Sequence, residues 1–236
     1  MVEQRIALPS GVNPATTNEV AYGAGSIWVA HGGQRAFVER IDPESGRVRH
    51  RFPIQWAHTL TFGQGAVWVG ASGVGTIYKI DPATNTFALI TTLHPWMCCL
   101  AVGGGYLWAS VDADHEIWKI SRDGSPQKSI KLSGGAGFMD YANGALWVTA
   151  DGSLSRIDPV TDSVTSFGIG HVVVGVAVGK SRVAVGIRQS PEDATAGLHG
   201  DIARLTMRED WLENTDPAVM EAVSYTHLTL PTIYSV

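Results

Sequence analysis

The chain has 236 residues, 44% of them apolar and 17% charged, and a formal net charge of −5. That length and apolar content can bury the core of one large all-β domain or two small ones, and they exclude an intrinsically disordered segment. With no basic stripe to release counterions, nucleic acid is excluded as a general partner. No run approaches the roughly 18 uninterrupted apolar residues of a membrane span.

The N-terminus, Met1 to Ile6, lacks the basic-then-apolar pattern of a signal peptide. The first element met is Arg5-Ile6-Ala7-Leu8-Pro9, a short strand with no partner strands before it. Tryptophan then recurs in one local setting: Gly25-Ser26-Ile27-Trp28-Val29, Gly65-Ala66-Val67-Trp68-Val69, Gly105-Tyr106-Leu107-Trp108-Ala109 and Gly144-Ala145-Leu146-Trp147-Val148. The differences 68−28, 108−68 and 147−108 are 40, 40 and 39 residues. A second anchor follows each: Arg40-Ile41-Asp42-Pro43, Lys79-Ile80-Asp81-Pro82, the divergent Lys119-Ile120-Ser121-Arg122-Asp123-Gly124, and Arg156-Ile157-Asp158-Pro159.

Each unit reads as four short strands. The first is typified by Val20-Ala21-Tyr22 or Leu100-Ala101-Val102, and the second carries the tryptophan. The third alternates apolar and polar residues, as in Thr76-Ile77-Tyr78-Lys79-Ile80. An Asp-Pro turn follows, its aspartate (Asp42, Asp81, Asp158) bonding backbone amides, and a strand such as Val48-Arg49-His50-Arg51-Phe52 closes the unit. Four strands per forty residues is the period of an all-β propeller of four-stranded blades. Trp28, Trp68, Trp108 and Trp147 are expected between neighbouring blades, as structural anchors.

A fifth, partial copy follows the four complete ones. Gly175 to Val178 and Val183 to Ile187 supply its first two strands, with Ala184 in the tryptophan slot, and Gly200-Asp201-Ile202-Ala203-Arg204-Leu205 resembles a third. Arg5 to Pro9 either completes this blade or ends one encoded upstream.

The arrangement Ala-Val-Gly-x-Gly-x-x-Trp, then Arg-Ile-Asp-Pro-x-Thr, is carried by Ala101 to Trp108 and by Lys79 to Asn85. Across residues 5–188 it resembles the YVTN/YncE-like bacterial propellers and the related virginiamycin B lyase-like repeats. The resemblance is specific for the fold; propellers host many activities. Further on, Gly200 to Met207 and Asn214-Thr215-Asp216-Pro217-Ala218 resemble the opening of a family 5 extracellular solute-binding domain, with Asp201 in place of its second glycine and Thr215 in place of a leucine. Actinobacterial-type proteins similar to this join such a propeller to such a domain, which implies an extracytoplasmic or cell-envelope location.

The last residues break the style of the chain. Val223 to Thr232 back-translates cleanly to GTC TCT TAT ACA CAT CTG ACG CTG CCG ACG, which resembles a transposon-based sequencing-library adapter. The expected organisation is therefore repeats over 1–188, a linker or loop over 189–199, a last propeller strand or the start of a truncated solute-binding domain over 200–222, and adapter translation over 223–236. On this reading the chain is a fragment.

Candidate chemistry is sparse. Cys98 and Cys99, the only cysteines, are adjacent and pair only with strain, so they form neither a disulfide framework nor a CxxC knuckle. A virginiamycin B lyase-like activity implies a basic residue and a divalent metal near the axis. Asp112, Asp114 and His115 are the densest metal candidates, in a segment that also suits a hairpin between second and third strands. His58 begins an inner strand, with Asn18, Cys98, Gly137 and Val174 as its equivalents in other units, and these are expected round one mouth of the channel. Trp56 and Trp96 stand two positions earlier on adjacent blades, either packing on neighbouring loops or forming a stacking platform for a ligand. The leading expectation is a non-catalytic recognition module for a small molecule, a peptide or a protein partner. No cofactor is required; a divalent metal enters only with the alternative, a lyase-like or lactonase-like propeller enzyme.

Overall fold

The computed structural model describes residues 17–32, 36–170, 172–179, 182–188, 202–206 and 222–223. They form five four-stranded antiparallel sheets, each running in simple sequence order. The first holds β1 (Thr17–Gly23), β2 (Ser26–His31), β3 (Phe37–Ile41) and β4 (Val48–Phe52). The second holds β5 (Ala57–Gly63), β6 (Ala66–Ala71), β7 (Thr76–Asp81) and β8 (Thr86–Thr92). The third is β9 (Met97–Gly103), β10 (Tyr106–Val111), β11 (Glu116–Ile120) and β12 (Pro126–Lys131). The fourth is β13 (Met139–Ala142), β14 (Ala145–Ala150), β15 (Ser153–Ile157) and β16 (Val164–Gly168). In the fifth, β17 (Val172–Val178), β18 (Arg182–Arg188) and β19 (Ile202–Thr206) are followed by β20 (Ala222–Val223).

The partial fifth repeat is thus a four-stranded sheet, with Ala222 and Val223 pairing to Leu205 and Arg204. The expected strand at Arg5 to Pro9 lies outside the described residues. First strands pack in series, β1 on β5, β5 on β9, β9 on β13 and β13 on β17. That order is the blade succession of a propeller.

The core lies between sheets. Trp28 is buried with Leu60, Val67, Val69 and Ile80 of the second blade. Trp68 packs with Met97, Leu100, Leu107 and Ile120 of the third, and Trp108 with Leu146, Val148 and Ile157 of the fourth. Trp147 meets Val173, Val183 and Val185 of the fifth. The second strands bury both faces, so every residue of β6 and of β14 is buried.

The two sequence anchors are one structural unit. Cross-strand register sets Trp28 opposite Arg40, Trp68 opposite Lys79, Trp108 opposite Lys119 and Trp147 opposite Arg156. The Arg40, Lys79 and Lys119 cations lie 5.2, 5.2 and 5.7 Å from the indole centroids, within cation–π range. Each of the first three indole N–H groups donates to the carbonyl five residues earlier: Trp28 to Gly23 at 2.9 Å, Trp68 to Gly63 at 3.2 Å and Trp108 to Gly103 at 3.1 Å. Those glycines face the next blade, where a Cβ would run into Phe62, Val102 and Tyr141 respectively. The fourth unit has Ala142 at that position, and the buried Trp147 Nε1 has no partner among the described residues.

The Asp-Pro turns behave as their chemistry requires. Asp42 Oδ1 accepts from the N–H groups of Glu44 and Ser45, and Asp158 Oδ1 from those of Val160 and Thr161. Asp81 Oδ1 accepts from Ala83 N–H at 2.8 Å. Ser45 N–H, above all, with Arg49 and the Ser45 hydroxyl, holds the Asp42 carboxyl down at about 2.

Candidate functional site

Four of the five first strands carry an irregularity at the same place. Thr17 pairs with His31 and Glu19 with Ala30; Ala57 pairs with Ala71 and Thr59 with Gly70; Val173 pairs with Ile187 and Gly175 with Gly186. In β9, Leu100 pairs with Ala109 and Met97 with Val111. Each is a bulge, with one extra residue on the first strand. The extra positions are Asn18, His58, Val174 and the Cys98–Cys99 pair. Four of the five equivalent positions read from the repeat thus fall where the ladder is broken; the fifth, Gly137, precedes β13, whose pairing with β14 is regular.

These strand starts face one another across blades. Glu19 Oε2 accepts the Leu60 N–H at 2.7 Å, and His58 lies close enough for its charge to act on the same carboxyl. Burial pushes the Glu19 pKa up, against the opposing effects of Thr59, Leu60 and His58. Three blades on, and two positions further along its strand, Asp140 makes a similar contact between blades, accepting Val178 N–H at 2.7 Å. The sequence reading missed Glu19 because it followed Asn18; a carboxylate directly before the apolar Val20-Ala21-Tyr22 run was the available signal.

Trp56 and Trp96 precede β5 and β9, and both have left-handed backbone, φ 61° and 69°. Bulky residues seldom adopt that region. Their side chains are 51% and 68% exposed. A 3-10 turn at Ser72–Val74 separates them: the Trp56 ring lies against Gly73, and the Trp96 N–H donates to the Ser72 carbonyl at 2.8 Å. The Trp56 ring and the Trp96 backbone thus meet the same turn, with His58, also exposed, following Trp56.

Asp112, Asp114 and His115 form the turn between β10 and β11, a 3-10 turn at Asp112–Asp114 closed by left-handed His115. Their contacts diverge. Asp114 Oδ2 sits 3.2 Å from His94 Nδ1, beside a groove of about 530 Å3 shared with Glu116, Trp118 and Lys131. Asp112 Oδ1 instead faces Gly135, where a Cβ would lie 2.5 Å from it and 3.3 Å from Asp151 Oδ2 of the next blade. Among the described residues, no three His, Cys, Asp or Glu side chains converge as a metal-ligand set.

Cys98 and Cys99 are free thiols whose sulfurs stand 2.7 Å apart. Their shared hydrogen bond moves the Cys98 thiol down and the more buried Cys99 thiol up.

No family model and no curated protein matches the sequence. Solved structures do. The chain is similar to virginiamycin B lyase from Staphylococcus aureus, with a TM-score of 0.68 at 15% identity over 92% of this chain and 72% of that one. It is similar to the Neurospora crassa Pan2 WD40 domain, with 0.68 at 11% identity over 92% and 70%. Kuenenia stuttgartiensis hydrazine synthase gives 0.71 at 10% identity over 93% and 70%. The fold is a β-propeller. At these identities the likeness extends to architecture alone. No helix among the described residues is long and apolar enough to cross a membrane.

Proposed function

We propose that this propeller is a non-catalytic recognition module, taking a peptide, small-molecule or protein ligand at the rim around Trp56, His58 and Trp96. The observation that carries the reading is the pair of exposed tryptophans in left-handed backbone, the Trp56 ring and the Trp96 backbone meeting one turn. Strained, exposed aromatics are costly to the fold and useful to a binding face, where rigid rings offer large contact area. The resemblance of residues 200–218 to a solute-binding opening supports a setting in a bacterial envelope-associated transport protein, and hence an extracytoplasmic location.

Two measurements test this. A panel of short peptides and small solutes is titrated against the chain by intrinsic fluorescence. Binding should weaken at least about tenfold in Trp56→Ala/Trp96→Ala with melting unchanged, since an anchor contributes roughly 1.4 kcal/mol or more; full-affinity binding by the double variant overturns the rim assignment. Reading the coding sequence past Ala222 tests the setting: continuation into a solute-binding domain supports it, and a prompt stop codon removes it.

A metal-dependent lyase-like or lactonase-like enzyme is the second reading. It is favoured by the approach of Asp112 and Asp151, from adjacent blades, to Gly135. Calorimetric titration with Mg2+ or Mn2+ should then show one site lost in Asp112→Asn; no heat in the parent chain eliminates it.

A further inference from the structure

Adjacent side chains in a regular strand point to opposite faces, which holds neighbouring cysteines apart. β9 is not regular at its cysteines. Leu100 pairs with Ala109 and Met97 with Val111, so Cys98 and Cys99 together oppose Ser110. The bulge cancels the alternation and brings both sulfurs to one side, 2.7 Å apart.

The surroundings fix this pair in place. Ladder pairs flank it on both sides, and the Cys99 N–H donates to Ser110 Oγ at 3.1 Å. Cys99 is 6% exposed, whereas Cys98 is half-buried and gives access from the rim. The carboxylates of Asp112 and Glu19 act electrostatically on Cys98, so a bound cation meets a negative field. Two sulfur donors on one short segment suit a soft ion, and hard oxygen-seeking cations have no such preference.

We propose that Cys98 and Cys99 form a bidentate site for a soft, thiophilic metal or metalloid, of the class that includes trivalent arsenic and monovalent copper. It is independent of ligand recognition at the indoles. With an organoarsenic(III) oxide the reaction balances without a redox partner. Two S–H bonds and the arsenic–oxygen bond break, two arsenic–sulfur bonds form, and the oxygen leaves as water carrying both protons.

The test titrates the reduced full chain with phenylarsine oxide, following intact mass and free-thiol count, with tryptophan fluorescence as a check of fold. One equivalent should consume both thiols, which are the chain's only two, and add one arsenical minus water. Cys98→Ser and Cys99→Ser should each bind about a hundredfold or more weaker, because the second bond is no longer intramolecular. Two arsenicals per chain, thiols that stay free at one equivalent, or a single variant with parental affinity each overturn the proposal. The parental stoichiometry decides even if a variant fails to fold.

Discussion

The interfaces between blades two and three and between blades three and four start from the same parts and end differently. Lys79 and Lys119 each lie over their own blade's tryptophan. Lys119 finds acceptors in the next blade's turn, Pro159 O at 2.6 Å and Asp162 Oδ1 at 2.8 Å, and is only 7% exposed. Arg40 does the same at the first interface, bonding Pro82 O at 2.6 Å and Asn85 Oδ1 at 2.8 Å. Asn85 and Asp162 occupy the left-handed position of their turns, φ 55° and 59°. In the third blade that position is Gly124, φ 92°, in a turn of different sequence, Ser121-Arg122-Asp123-Gly124-Ser125. Glycine satisfies the backbone at no steric cost but brings no side-chain oxygen. Lys79 has no hydrogen-bond acceptor of this kind among the described residues, and a groove of about 380 Å3 opens beside it, lined in part by Gln64, Asp81 and Phe87. A turn residue chosen for its φ thus also decides whether two blades are latched.

The largest effect expected tests what the two interfaces share. Trp68→Ala and Trp108→Ala should each cost about 3–5 kcal/mol, because each removes a fully buried indole from an inter-blade cluster. Urea midpoints at constant slope measure this; a Trp68 cost well below the Trp108 cost would mean that the second interface is loose throughout, beyond the missing latch.

The next tests the latch. Lys119→Met should cost about 1–3 kcal/mol by leaving Pro159 O and Asp162 Oδ1 without their donor, while Lys128 still reaches Asp162 Oδ2 at 3.2 Å. Lys79→Met removes only a cation–π contact and should cost about 0.5–1 kcal/mol. Equal costs, measured in the same urea titrations, would remove the distinction.

The smallest is a pH dependence. The Lys119 ammonium beside Asp162 holds its carboxyl below the usual carboxylate range. A carboxylate depressed by folding stabilises the protein above its unfolded pKa, near 4, and that contribution is lost as pH falls through the folded value. Acid unfolding of Lys119→Met should therefore show a shallower loss of stability below about pH 4 than the parent chain, while Lys79→Met should follow the parent. Parallel acid slopes in all three proteins would contradict the latch.

Much of the candidate rim was legible from repeat alignment alone. Equivalence of His58 with Asn18, Cys98, Gly137 and Val174 follows from counting, and all of these but Gly137 fall on bulges. Counting does not show a bulge, however, because extra residues in a strand leave no signature in an alternating apolar pattern. For that reason the meeting of the Cys98 and Cys99 sulfurs, the Glu19 contact with Leu60, and the separate partners of Asp112 and Asp114 were not readable.

The sequence by itself determined the blade: its four strands, its recurring tryptophan and the aspartate-capped turns. These are set by contacts within about forty residues, where local register and turn chemistry suffice. Only the tertiary structure decided what lies between blades: which cation finds an acceptor, which glycine admits the next blade's side chain, and which rim residues meet. Those depend on residues some forty positions apart, as Lys119 and Asp162 are, brought together by packing that no local pattern encodes.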